Sequence, residues 1–191
     1  AAAMLAALSV FKAGCDARAA AALAPPEAVG RTDDGEVERL LDELVACSML
    51  RVVHPAAGGP PEAAAPRFRL DAPVLDHAQQ LLEPAAAAAA QQRLRAWALA
   101  WVQALPRSAP LAVLRADLPN LVAALAPAGG PREADDVVRL WVALSPLLED
   151  MPCPAEALDH ALAAVAACAD PVLRARGHSA LASPCRSAGQ P

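Results

Sequence analysis

The sequence predicts a mainly α-helical protein with one small β-hairpin in its first half. Apolar residues recur at helical spacing through most of the 191 residues. Short period-two patterning occurs only near Leu50–His54 and Arg67–Leu70. Aromatic residues make up 3% of the chain and Tyr is absent, so the core must be Ala, Leu and Val, which suits closely packed helices.

The stretch from Glu36 to Leu82 sets the organisation. Val37, Leu40, Leu41, Leu44 and Val45 form one apolar stripe on a helix. Asp33 or Asp34 is placed to cap its start, where free N–H groups need an acceptor. Ser48 falls where the helix must turn or cap. Leu50–His54 is short and β-branched, and Pro55 ends it. Arg67–Leu70 alternates as a half-buried strand does, and Asp71 precedes an amphipathic run carrying Leu75, Ala78, Leu81 and Leu82. Helix, strand, loop, strand, helix is the layout of a winged-helix unit, with Pro55–Pro66 as the wing.

Upstream, Ala1–Phe11 reads as a helix with Met4, Leu5, Leu8 and Phe11 inward. It starts without a visible cap or leader, so the chain is expected to be a piece of a longer protein. Gly14 breaks this helix, Asp16 caps a second one through Leu23, and Pro25–Pro26 end it. Residues 1–83 thus form the winged-helix domain.

Residues 84–191 are expected to be helical hairpins. Pro84 and the Ala85–Ala90 run open a helix. It continues through Leu94, Trp97, Leu99, Trp101, Val102 and Leu105, apolar on more than one side. Leu111–Leu125 is helical with an interruption at Pro119. Glu133–Leu148 is amphipathic around Val137, Leu140, Trp141 and Leu144, with Pro146 kinking or ending it. Pro154 begins a helix through Cys168, and Asp170–Pro171 begin the last. Disorder is expected from Pro184. No clean repeat period is visible, so the array is at most a degenerate repeat.

Bulk properties narrow the function classes. The net charge is −5, which disfavours a chain whose task is to neutralise phosphates. Five cysteines without a C-x-x-C pair suit reduced thiols in a cytoplasm better than a disulfide framework. No apolar run free of charge or proline is long enough to cross a membrane. No G-x-x-x-x-G-K-S/T phosphate loop occurs, so the chain alone is not expected to hydrolyse ATP, and no cofactor is implied. His54, His77, His160 and His178 show no metal-ligand spacing. Trp97, Trp101 and Trp141 read as core.

The chain resembles the region that follows the nucleotide-binding core in bacterial signal-transduction ATPases with numerous domains (STAND). These include transcriptional regulators carrying a winged helix and tetratricopeptide-like repeats. The quoted stretches are LSVFKAGCD (Leu8–Asp16), LDELVACSML (Leu41–Leu50), RFRLDAPVLDHAQ (Arg67–Gln79) and RADLPNLVAAL (Arg115–Leu125). The last two helices resemble the start of the repeats. Departures are Ala13 for a glycine, Cys15 for an aromatic, and Leu75 where the family often has Arg. The resemblance implies a mainly α fold, with the winged-helix domain followed by a tetratricopeptide-like array. It also implies a non-catalytic regulatory role, in which the winged helix packs on the nucleotide-binding domain of the parent chain and the array receives a signal or partner.

The alternative is a DNA-binding winged-helix regulator with a helical dimerisation or effector domain. Its recognition helix would present Glu36, Glu38, Arg39, Asp42 and Glu43 to the major groove, with Arg67 and Arg69 on phosphate. Four of those five helix residues are acidic, so DNA binding is disfavoured and a protein surface is expected.

Overall fold

The computed structural model describes residues 2–25, 34–54, 65–106, 109–127, 130–148 and 151–187. The elements in order are α1 (Ala2–Leu8), α2 (Ala17–Leu23), α3 (Asp34–Ala46), β1 (Arg51–Val53), β2 (Arg67–Arg69), α4 (Ala72–Gln80), α5 (Pro84–Ala104), α6 (Leu111–Ala124), α7 (Pro131–Leu144), a 3-10 turn (Ser145–Leu148), α8 (Ala155–Ala167) and α9 (Pro171–Ser187). The protein is therefore mainly helical with a small two-stranded antiparallel sheet. Asp33 and residues 55–64, most of the expected wing, lie outside the described residues.

Two compact units emerge. The first comprises Ala1–Trp97 with Pro110–Asn120, the second Ala98–Ala109 with Leu121–Pro191. A division after residue 83 is the sequence expectation; the first unit instead takes in most of α5 and α6.

In the first unit, Met4, Leu5, Leu8 and Phe11 are buried, although α1 itself ends at Leu8. Asp16 caps α2 by accepting from the Ala19 N–H at 2.7 Å. In α3 the stripe Val37, Leu40, Leu41 and Leu44 is buried and Val45 half-buried. Each such Leu contributes about 1.5–3 kcal/mol on leaving water. Ser48 ends α3 in the left-handed region at φ 58°, its N–H bonded to the Val45 carbonyl at 2.9 Å and that of Met49 to Leu44 at 2.9 Å. The β1–β2 register pairs Arg51 with Arg69, Val52 with Phe68 and Val53 with Arg67. Cys15 adds a one-residue third strand, bridging Phe68 through bonds of 3.0 and 2.7 Å. Phe11 meets Trp97 edge-on, with ring centroids 5.4 Å apart.

In the second unit, α7, α8 and α9 pack on one another. Val137, Leu140, Trp141 and Leu144 are buried as the spacing predicts, and Pro146 lies in the 3-10 turn that ends α7. Asp170 opens α9 by accepting from the N–H groups of Val172 (2.8 Å) and Leu173 (3.1 Å).

Several expectations need correction. The helix α6 runs without a break through Pro119, which faces solvent. A proline inside a helix removes a bond and costs about 3 kcal/mol; tertiary hydrogen bonds from Asp117 and Asn120, on either side of it, offset that. Likewise α9 passes Pro184 and ends at Ser187. In α4 only Ala78 is fully buried, and Leu81 is 46% exposed because the helix stops at Gln80. In α5 the buried residues are the stripe Ala90, Leu94, Ala98 and Val102 together with Arg95, and Trp97, Leu99 and Trp101 are half-buried.

Gly177 sits within α9 where a Cβ would lie 2.6 Å from Val165 Cγ2 and 2.9 Å from Val138 Cγ1. Replacing a helical glycine by alanine ordinarily stabilises by about 1 kcal/mol. Here overpacking, which costs about 1–3 kcal/mol, opposes that gain. Gly177→Ala is therefore expected to leave stability unchanged or lower it by up to about 2 kcal/mol, measured by urea denaturation.

Candidate functional site

The outward face of α3 carries Glu36, Glu38, Arg39, Asp42 and Glu43, with Glu36 half-buried and the others exposed. Arg39 lies between two carboxylates of its own helix, 3.8 Å from Glu36 and 3.5 Å from Glu43. Exposed pairs at this spacing contribute only a few tenths of a kcal/mol. Their effect is on charge: the one cation of the face is already matched, and three of its four negative charges remain in excess.

Arg67 is not the surface cation that the sequence suggests. Its guanidinium forms a two-pronged pair with Asp117, Nη1 to Oδ2 at 2.9 Å and Nη2 to Oδ1 at 2.7 Å. Nη2 also donates to the Gly14 carbonyl at 3.0 Å. The two side chains are only 24% and 10% exposed. Hydrogen bonding to Asp117 raises the Arg67 pKa further, so the charge is permanent. Asn120 completes the arrangement. Its amide Nδ2 donates to the Gly14 carbonyl (2.8 Å) and to Asp117 Oδ1 (2.9 Å), and its Oδ1 accepts from the N–H groups of Lys12 (2.8 Å) and Ala13 (2.9 Å). Gly14 takes φ 73°, and a Cβ there would lie 2.5 Å from the Phe68 carbonyl oxygen. Only glycine meets both conditions without strain.

Of the predicted pair, Arg69 alone stays exposed. Its cross-strand neighbour Arg51 pairs with Asp71, which relieves two like charges facing each other across the ladder. The structure thus gathers the α3 residues on one face but separates Arg67 from Arg69 in role. Asp117 and Asn120 went unselected in the sequence. A signal existed: two polar residues three apart flank a proline in a helix otherwise rich in Leu, Val and Ala.

The described cysteines divide by environment. Cys15 is buried, and burial pushes its thiol far up, so it stays protonated. Cys168 is buried at the end of α8 and donates to Asp135 Oδ1 at 3.0 Å, which also accepts from the Ala169 N–H at 3.0 Å. The thiol pKa is raised, by burial first, and the carboxyl is lowered, by the thiol hydrogen bond first. His54, His77 and His178 are exposed, and His160 lies 3.5 Å from Glu156. Among the described residues no group of three His, Cys, Asp or Glu is placed to hold a metal, and no helix is long and apolar enough to cross a membrane.

Removing Asp117 leaves the half-buried Arg67 without its counter-charge. Asp117→Ala is expected to cost about 3 kcal/mol, less than for a fully buried pair because Arg67 keeps some solvent. The double variant Arg67→Met/Asp117→Leu is expected to lose less than that, measured by chemical denaturation.

Asp135 gives a pH signature. A carboxyl lowered in the folded state contributes stability that is complete above the ordinary Asp range and is lost as pH falls through its lowered folded value. Asp135→Asn is therefore expected to lower Tm at neutral pH, with the difference from wild type closing as the solution is acidified.

No family model, curated protein or solved structure matches the chain.

Proposed function

We propose that this chain is a non-catalytic regulatory and protein-interaction module of a larger STAND-type transcriptional regulator. Its first part acts as a winged-helix domain that packs against a nucleotide-binding domain. Its second acts as a tetratricopeptide-like array that receives a signal or partner.

The element order supports this reading: α1, the Cys15 bridge, α2, α3, the β1–β2 hairpin and α4, then packed helices. So does the meeting of three stretches that carry the resemblance. Lys12–Gly14, Arg67 and Asp117–Asn120 come together in one hydrogen-bonded cluster. The charge of α3 favours this reading over a DNA reader. A recognition helix offering Glu36, Glu38, Asp42 and Glu43, with Arg39 already matched, repels a phosphate backbone and suits a basic protein surface.

The coding sequence upstream of Ala1 tests the context. A phosphate-loop ATPase in the same reading frame is expected, and a stop codon there in place of one overturns the proposal. For DNA, fluorescence anisotropy with duplex at about 50 mM salt maximises the electrostatic contribution. Binding weaker than micromolar is expected; sub-micromolar binding that Arg69→Ala weakens would make the DNA reader the better reading.

A further inference from the structure

We propose that the cleft between α1, the open end of the hairpin and α4 binds a small carboxylate with a compact apolar body. The cleft has a volume of about 120 Å³ and lies within the first unit, at the end of the sheet away from the β1–β2 connection. Leu8, Phe11, Leu50, Phe68, Leu70 and Leu75 supply its apolar lining. Lys12, the single lysine of the chain, and Arg69 also line it, and both are exposed.

Size comes first. An apolar cavity of about 150 Å³ takes up benzene, whereas drug-sized ligands occupy about 300–1,000 Å³. A cleft of this volume therefore admits one ring or a short branched chain and little more. Charge comes second. No carboxylate lines the cleft. Three Asp adjoin lining residues in sequence: Asp16 caps α2, Asp71 pairs with Arg51, and Asp76 is exposed on α4 without lining the cleft. Cys15, also in the lining, is a neutral thiol. Arg51 and Arg67, the other cations of the sheet, are matched by Asp71 and Asp117. Lys12 and Arg69 are thus the charged side chains that line the cleft, so an anionic head over an apolar body is favoured and a cationic one repelled.

Benzoate, benzyl alcohol and benzylamine share one ring and differ in charge, which makes them the probes. Heteronuclear NMR titration of the whole chain reads out amide shifts at Leu8–Cys15 and Phe68–Leu75. Benzoate is expected to saturate these shifts in the millimolar range, as befits a ligand of few atoms. It should bind at least about threefold tighter than benzyl alcohol, the scale of exposed charge pairing. Benzylamine should be weakest. The double variant Lys12→Met/Arg69→Met alters exposed side chains only, so the fold is retained; it should bind benzoate and benzyl alcohol alike. The proposal is overturned if none of the probes gives a saturable shift at these residues. It is equally overturned if benzoate binds no tighter than benzyl alcohol, or keeps its advantage in the double variant.

Discussion

The pair between Arg67 and Asp117 is the interaction on which the first unit depends. Three segments distant in sequence converge there: the turn after α1, strand β2 and helix α6. Half-buried ions are costly unless their remaining donors and acceptors are used. Here Gly14 and Asn120 use them. The Gly14 carbonyl accepts from both Arg67 and Asn120, and Asn120 returns its own oxygen to two backbone N–H groups of the same turn. The turn can come this close only because Gly14 has no Cβ. The same turn then supplies Cys15 to the sheet edge, so one glycine links the ion pair to the strand pairing.

This arrangement redistributes charge. A count of basic residues along the hairpin gives three arginines, Arg51, Arg67 and Arg69. Two of them are neutralised by carboxylates from other elements, one at the start of α4 and one within α6. On α3 the only cation is neutralised by its own neighbours. A stretch whose sequence looks mixed in charge becomes, once folded, an acidic helix face on one element and, on another, one exposed arginine outside the ion pairs. Electrostatic partner choice follows the folded distribution, since screened, exposed charges act over about 8–10 Å and matched ones contribute little.

Periodicity made most elements legible. Where a capping residue marked the start, as in α2, α3 and α9, the first turn of each helix was readable within a residue or two. Proline was the main source of error. Its helix-breaking effect is local, whereas Pro119 is held in α6 by bonds from residues on either side to partners about 50 and 106 positions away. The same separation hid the site. Arg67 looked like a surface cation because its partner Asp117 is 50 residues distant, and no local pattern announces such a pairing. Leu81 shows the converse limit: an apolar stripe predicts a buried face only as far as the helix and its neighbour both extend.

Composition explains the character of the second unit. On α8 the buried positions are Ala157, Leu158, Ala161, Ala164 and Val165, three of them alanine. Alanine buries little area, so such a face stabilises chiefly when its partner comes close enough for dispersion contacts along the whole helix. Gly177 provides that approach on α9, placing its backbone against Val138 and Val165. Trp141 fills what small residues cannot and is fully buried, although its indole N–H meets no hydrogen-bond partner among the described residues. A core of leucine, valine and alanine with one large ring is specified by shape more than by polar pairing. The first unit relies on the opposite principle, a polar cluster whose every described member is satisfied.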